Sequence, residues 1–112
     1  MKRWFVAALV LAAGCREATG PEERIVEGRY ALGWEIDYFQ PCGSSEEWLP
    51  LATREVADRY FMIASPPGAP VYARFRGTPG PRGKFGMYGA NDREFHVAEV
   101  LEMRPLAQSD CD

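Results

Sequence analysis

The sequence contains few of the residues that most often carry chemistry. It has one histidine and three cysteines among 112 residues, and no pair of cysteines forms a CxxC motif. A tight metal site needs three or four convergent ligands, and Asp92, Glu94 and His96 offer only a weak set. No serine lies in a nucleophile-elbow glycine pattern, and Gly83-Lys84 lacks the other residues of a phosphate-binding loop. We therefore predict no catalytic residues, no metal and no cofactor.

Positive charge is also scarce. The chain has 13 Lys and Arg residues against 16 Asp and Glu residues, a formal charge of −3. Without Lys2 and Arg3, 11 basic residues remain against 16 acidic ones, a formal charge of −5. Proteins that bind nucleic acid carry a basic surface. We therefore predict no nucleic-acid partner.

Long apolar runs are absent too, and the longest extends from Trp4 to Ala13. As a helix these ten residues would rise about 15 Å, roughly half of a bilayer core, so they are too short for a permanent span. Lys2 and Arg3 precede the run and Gly14-Cys15 follows it. Positive residues, a short apolar run and small residues in this order are typical of a secretory signal peptide.

The segment Leu11-Ala12-Ala13-Gly14-Cys15 resembles the lipobox of bacterial lipoproteins, with Ala12 where the family prefers leucine. The resemblance implies cleavage before Cys15 and stable anchoring by lipid on that cysteine. The alternatives are an ordinary secretory signal with a chance cysteine and a buried amphipathic strand. In such lipoproteins an aspartate after the cysteine favours the inner membrane, and Arg16 stands there instead, which implies the outer membrane, facing the periplasm. The predicted units are a signal peptide at 1–14, a lipidated tether at 15–24 and one domain at 25–112.

Cys42 and Cys111 remain once Cys15 is lipidated. In an oxidising compartment an even pair usually forms a disulfide. Cys111 lies beside the carboxyl end, which would otherwise fray. We predict a Cys42–Cys111 disulfide, with a reactive thiol as the less favoured alternative.

Apolar and polar residues alternate from Val26 to Tyr38. A period of two over this length predicts one long half-buried strand or two strands bent at Gly33. Tyr30, Trp34 and Tyr38 fall on the apolar face and are predicted to pack in the core. Glu35 and Asp37 share the other face, which we interpret as solvated.

The rest of the chain predicts a short strand at 46–49, a helix that starts near Pro50 and ends before Ser65-Pro66-Pro67-Gly68, and a strand at 71–76. A long Gly- and Pro-rich loop, with a brief strand at Phe85 to Tyr88, would lead to a final strand at 95–104, although that last segment also suits a helix. This order is that of a five-stranded OB-like barrel with its helix between the third and fourth strands. A small α+β meander or a β-sandwich are the alternatives.

Three groups of residues resemble a pattern of small envelope lipoproteins: Gly33-Trp34-Glu35, Phe39-Gln40-Pro41-Cys42-Gly43 and Trp48. These proteins are similar to the OB-like carboxyl-terminal domain of copper-resistance and envelope-stress lipoproteins. The resemblance implies an OB-like envelope domain. The CxxC motif that marks the amino-terminal domain of the copper-linked family is missing, so the resemblance implies no copper handling.

One surface is a candidate for recognition. Trp48, Tyr72, Arg74 and Arg76 would form a patch if the two aromatic side chains lie on the open barrel face, because Trp, Tyr and Arg dominate binding hot spots. We predict a non-enzymatic, membrane-anchored module that binds an envelope protein or a small ligand. The alternatives are a small cell-wall hydrolase, with His96 or Glu35 beside a second catalytic group, and a passive structural or assembly lipoprotein.

Overall fold

A computed structural model describes residues 22–112, so Cys15, the signal peptide and nearly all of the predicted tether lie outside the described residues. Within residues 22–112 the regular elements are five strands and one helix. They are β1 Arg24–Gly33, β2 Ile36–Pro41, β3 Trp48–Leu51, α1 Arg54–Ile63, β4 Val71–Pro79 and β5 Arg93–Pro105.

The five strands form a closed barrel in the order β1-β2-β3-β5-β4, which returns to β1. All neighbours are antiparallel except β3 and β5, which run parallel. The helix α1 lies between β3 and β4 in the chain. The prediction of a small OB-like barrel is therefore confirmed, and β5 is the strand rather than the helix that its composition also permitted.

Strand β1 pairs with both of its neighbours in the barrel, β2 and β4. Its second half pairs with β2, and its residues up to Tyr30 pair with β4. Both pairings include Gly28, where a Cβ atom would collide with the carbonyl oxygen of Gln40. The close approach of the two backbones at this point requires glycine.

The turn between β1 and β2 corrects one prediction. Gly33 pairs with Ile36, so only Trp34 and Glu35 form the loop, and Tyr30 pairs with Phe39. Directly opposite residues share a face of the sheet. Phe39 therefore points inward where the uninterrupted alternation would have placed Tyr38. The prediction that Trp34 packs in the core is wrong, since Trp34 is 87% exposed at the tip of the turn.

The connection from β4 to β5 is long and contains little regular structure. In place of the brief strand predicted at Phe85 to Tyr88, it has a short 3₁₀ turn at Met87–Gly89 and a single bridge between Phe85 and Asn91. This bridge folds the connection back on itself, and it presents the 3₁₀ turn at the tip.

The core is aromatic. The ring of Phe39 stacks on Phe95 with centroids 5.6 Å apart, and it meets Phe75 edge-on at 5.1 Å. Trp48 packs against Phe95, and its indole N–H donates to Glu46. Offset and edge-on aromatic pairs add stability beyond the buried area. Ten buried residues make up this core: Tyr30, Phe39, Trp48, Val56, Tyr60, Val71, Ala73, Phe75, Phe95 and Met103.

Helix α1 packs on the barrel through Val56 and Tyr60. The hydroxyl of Tyr60 donates to the carbonyl oxygen of Ala69 at 2.7 Å and accepts from the N–H of Gly68 at 2.9 Å. The N–H of Gly68 also donates to the carbonyl oxygen of Leu32. A buried tyrosine thus fixes the loop after the helix against the end of β1.

The predicted pairing of Cys42 with Cys111 is present in the structure. The two cysteines are bonded, with Cα atoms 4.7 Å apart, although 69 positions separate them in the sequence. Arg104 also holds this end of the chain, because its guanidinium pairs with Asp110. The carboxyl-terminal segment is therefore fastened to the barrel at two points.

Candidate functional site

A cleft of about 540 Å³ opens at one end of the barrel, a size within the range of small-ligand sites. Three parts of the fold enclose it: the β1–β2 turn, the neighbouring strands β2 and β3, and the β4–β5 connection. The loop after α1 reaches its edge through Gly68. The lining residues are Leu32, Gly33, Glu35, Ile36, Asp37, Tyr38, Glu47, Leu49, Gly68, Met87, Ala90 and Asn91.

The position of the cleft follows from the barrel topology. Strands β2 and β3 and the connections β1–β2 and β4–β5 are the parts with which OB barrels bind oligonucleotides and oligosaccharides. Residues far apart in the sequence meet here because closure of the sheet brings β5 beside β3. Asp92 shows this juxtaposition, since its N–H donates to the carbonyl oxygen of Glu47 at 2.7 Å and its carboxylate accepts from the Glu47 N–H at 2.9 Å.

Large apolar side chains stand exposed at the rim. Trp34 lies between two lining residues of the β1–β2 turn and is exposed, Met87 lines the cleft and is half exposed, and Tyr88 follows Met87 and is 91% exposed. Ile36 is also partly exposed. Single exposed apolar residues are ordinary, but several around one concave site mark a recognition surface.

Both loops beside the cleft contain a residue in the left-handed backbone region. Glu35 has φ 59° in the β1–β2 turn, and Tyr88 has φ 60° in the 3₁₀ turn. Residues other than glycine and asparagine rarely adopt this backbone conformation, which costs on the order of 1 kcal/mol. Strained backbone of this kind clusters at functional sites.

The charges of the cleft are negative. Its lining includes Glu35, Asp37 and Glu47 and, among residues 22–112, no lysine, arginine or histidine. Partial burial among the walls of the cleft raises the pKa of Asp37 from 3.8 to about 6, although the residue as a whole is exposed to solvent. Burial first, and then the charge of Asp37, raises the pKa of the neighbouring Tyr30. A carboxylate thus lies where hydration is incomplete.

Asn91 connects the walls of the cleft. This residue is only 6% exposed, and its Nδ2 donates to the backbone carbonyl oxygen of Asp37 at 3.0 Å. Its side chain also occupies the space that a Cβ atom would need at Gly86, which has φ 71°. The buried amide therefore fixes the β4–β5 connection against β2 and sets the width of the cleft.

With this geometry defined, the chain can be compared with known proteins. No protein-family model, curated protein or solved structure matches it. The described residues include no helix that is long and apolar enough to span a membrane. Within the same range, no three His, Cys, Asp or Glu side chains are grouped as a metal site would require.

The four residues of the predicted recognition patch do not come together. Trp48 is only 7% exposed and packs in the core, because it pairs with the inward-facing Phe39. On the outer face of β4 lie Tyr72, Arg74 and Arg76, but Tyr72 is only 5% exposed, so it too does not contribute to an open patch. Trp48 is therefore excluded from any patch with the other three.

The outer face of β4 is already occupied by contacts within the chain. The guanidinium of Arg104 lies 4.0 Å above the ring of Tyr72, whose hydroxyl donates to Glu27 at 2.8 Å. Arg76 pairs with Glu23 and Glu99. Arg74 pairs with Glu102. These side chains have partners of opposite charge or an aromatic contact, which reduces their availability to a ligand.

The structure also separates the other chemically interesting residues. His96 lies exposed on β5, whereas the carboxylate of Asp92 is engaged with the N–H of Glu47. Glu35 and Asp37 both line the cleft, and both are exposed, as the interpretation of a solvated face expected. Sequence reasoning missed Asn91 and Met87 altogether. The two-residue turn at Trp34-Glu35 places Asp37 beside the cleft, and the sequence does not mark it, since it lacks the Asn-Gly or Asp-Gly pair typical of such turns.

Proposed function

We propose that this chain is a lipid-anchored lipoprotein of the outer membrane, facing the periplasm, whose OB-like barrel binds an envelope ligand in the cleft. The observation that carries the binding function is the cleft itself. It combines a concave site of about 540 Å³, carboxylates that form no ion pair within residues 22–112, and exposed Trp34, Met87 and Tyr88 beside it. Aromatic and apolar residues around a polar concavity are typical of ligand sites.

The direction of β1 supports this arrangement. The strand begins at Arg24, the last residue of the predicted tether, and ends at Gly33 beside the cleft. Ten residues of strand cover about 30 Å. A chain anchored through Cys15 would therefore hold the cleft away from the membrane surface, where a periplasmic partner can reach it.

Anchoring is tested separately from binding. Mass spectrometry of the mature amino terminus should find a lipid-modified Cys15, and a Cys15→Ser variant should leave the membrane fraction. An unmodified Cys15, or a Cys15→Ser variant that stays in that fraction, would overturn the lipoprotein proposal and leave the cleft unaffected.

Binding is tested by affinity capture from detergent-solubilised envelopes. We expect reproducible partners for the wild-type protein and their loss for a Trp34→Ala, Met87→Ala double variant. Met62→Ala is the matched control, because Met62 is 86% exposed on α1 and does not line the cleft. Equal recovery by all three proteins would exclude the cleft as the binding site.

One observation favours a second candidate, a small hydrolase that acts on cell-wall glycan. Asp37 combines a pKa raised to about 6 with two further carboxylates in the same cleft, and glycoside hydrolysis uses one protonated and one ionised carboxyl group. The test is release of soluble fragments from purified cell wall. Activity that disappears in Asp37→Asn would establish the hydrolase, whereas absence of any release would leave the binding function.

A further inference from the structure

The carboxyl-terminal segment, residues 106–112, follows β5 and belongs to no strand or helix. Its backbone hydrogen bonds are internal, since the N–H of Asp110 donates to the carbonyl oxygen of Ala107 and the N–H of Asp112 donates to that of Ser109. Among residues 22–112, no backbone hydrogen bond joins this segment to the barrel, and the buried core contains none of its residues. The position of the segment therefore depends on side chains.

Two side-chain attachments hold the segment to the barrel. Cys111 is bonded to Cys42, which directly follows β2. Asp110 accepts two hydrogen bonds from the guanidinium of Arg104 on β5, both at 2.9 Å. The Arg104 side chain is 39% exposed, and ion pairs of such exposed groups stabilise weakly. The disulfide is therefore the stronger of the two attachments.

The disulfide also holds Cys111 in an unfavourable backbone conformation. Cys111 has φ 66°, in the left-handed region that residues other than glycine and asparagine rarely adopt. Such conformations persist only where the surrounding structure imposes them. Chain ends without such a constraint fray. Breaking the bond would therefore let Cys111 relax and the segment leave the barrel.

Both cysteines lie where a small thiol can reach them. Cys42 and Cys111 are each partly exposed, and the adjacent Gly43 and Asp112 are exposed. Neither cysteine belongs to the buried core. Thiol–disulfide exchange requires that a thiolate reach one of the two sulfur atoms. The bond can thus be broken without opening the core.

We propose that residues 106–112 form a clasp that a dithiol releases by reducing the Cys42–Cys111 bond. A thiolate of the dithiol attacks one cysteine sulfur, the Sγ–Sγ bond breaks, and a mixed disulfide forms. The second thiolate of the dithiol then attacks the mixed disulfide. The dithiol is oxidised to a disulfide, and its two electrons and two protons end on the Sγ atoms of Cys42 and Cys111. The barrel stays folded, because its strands pair without the segment.

Release of the clasp alters the outer face of β4. Asp110 provides two of the acceptors that hold Arg104, whose guanidinium covers the ring of Tyr72. Without Asp110, Arg104 keeps Glu102 as its charged partner and is held less firmly. Tyr72, which is only 5% exposed in the oxidised protein, then becomes more accessible. The clasp thereby links the redox state of its compartment to a surface of the barrel.

This device goes beyond the proposed binding function, because it lies away from the cleft. Ile36 and Asp37 at the start of β2 line the cleft, whereas Cys42 follows the end of that strand. Six residues of strand separate the two places by about 20 Å. Reduction should therefore leave capture of partners at the cleft unchanged, and each proposal can fail without the other.

The test uses the full-length protein in non-ionic detergent, with dithiothreitol as the dithiol at pH 7.5. Alkylation and mass spectrometry count the free thiols at Cys42 and Cys111. We expect a reduction rate that rises in proportion to the dithiothreitol concentration in the absence of urea, because the folded protein is attacked. After reduction, amide hydrogen exchange in residues 106–112 should be at least about tenfold faster, whereas exchange in β1 should stay as it was.

Three results would overturn the proposal. The first is a bond that dithiothreitol reduces only in urea concentrations that unfold the barrel. The second is unchanged hydrogen exchange of residues 106–112 after reduction. The third is loss of protection throughout the barrel after reduction, since the bond would then hold the whole fold rather than a clasp.

Variants separate the two attachments. Asp110→Asn weakens the pair with Arg104 and should speed reduction by about threefold. Asp58→Asn is the matched control, because Asp58 is an exposed carboxylate on α1, and it should react like the wild type. Equal rates for Asp110→Asn and Asp58→Asn would refute the role of Asp110 in the clasp.

The accessibility of Tyr72 reports on the outer face of β4. Hydroxyl-radical footprinting should modify Tyr72 faster in the reduced protein than in the oxidised protein, and the buried Phe39 should be modified equally in both. The Cys42→Ser, Cys111→Ser double variant should behave like the reduced wild type without any dithiol. Equal modification of Tyr72 in the oxidised and reduced proteins would refute the link between the clasp and this surface.

Discussion

Asp37→Asn is expected to make the protein more stable at neutral pH, although the residue belongs to the candidate site. Burial raises the pKa of Asp37 to about 6 in the folded state, against 3.8 for an unperturbed aspartate. As pH rises from about 4 to 6, the unfolded chain releases this proton and the folded chain retains it. The free energy of unfolding therefore falls over this interval and levels off above pH 6.

The size of the effect follows from the shift. Two pKa units correspond to about 3 kcal/mol, and solvent contact of Asp37 reduces this to about 1 kcal/mol. Asparagine removes the charge and keeps the backbone carbonyl oxygen to which Asn91 donates. The variant should match the wild type near pH 4 and exceed its stability by about 1 kcal/mol at pH 7.5.

Urea unfolding followed by the fluorescence of the buried Trp48 gives the measurement, at several pH values between 4 and 7.5. Asp58→Asn serves as the control, and its difference from the wild type should not follow this profile. A stability difference for Asp37→Asn that is independent of pH, or a loss of stability at pH 7.5, would refute the reasoning about a poorly hydrated carboxylate.

Three further predictions concern the scaffold, and urea unfolding checks each. Gly28→Ala should cost about 1–3 kcal/mol, because the new methyl group meets the carbonyl oxygen of Gln40, and an unchanged midpoint would exclude that collision. Tyr60→Phe should cost about 1–2 kcal/mol by removing a hydroxyl with two backbone partners, and an effect below about 0.5 kcal/mol would show that they do not stabilise the fold. The Cys42→Ser, Cys111→Ser double variant should lose about 4 kcal/mol, and equal stability of the wild type under reducing and oxidising conditions would contradict a structural role for the bond.

The sequence pattern predicted the barrel well because most strands keep one phase. On β4, Val71, Ala73 and Phe75 alternate with Tyr72 and the two arginines, and the structure buries the first set in the core, while Arg104 covers Tyr72 on the outer face. The prediction of which residues face the core failed at the β1–β2 turn. A loop of two residues pairs Tyr30 with Phe39, which reverses the phase of the pattern. The sequence pattern alone does not reveal this reversal, because apolar and polar residues go on alternating without a break across the turn.

The candidate site was harder to predict than the fold. Its residues come from the β1–β2 turn, from β2 and β3, and from a connection about fifty positions later in the chain, and only the strand register brings them together. Asp37 looks like an ordinary surface acid in the sequence. Its altered pKa and its contact with Asn91 both depend on closure of the barrel.

The central claim is that ligands reach this protein at the cleft, and photocrosslinking in intact cells tests it most directly. A photoreactive amino acid replaces Met87 at the rim of the cleft or, as the control, Met62 on the exposed side of α1. We expect a discrete crosslinked product from position 87 that is absent from position 62 and lost when Asp37→Asn is added. The same products from both positions, or none from position 87, would contradict the assignment of the cleft as the binding site.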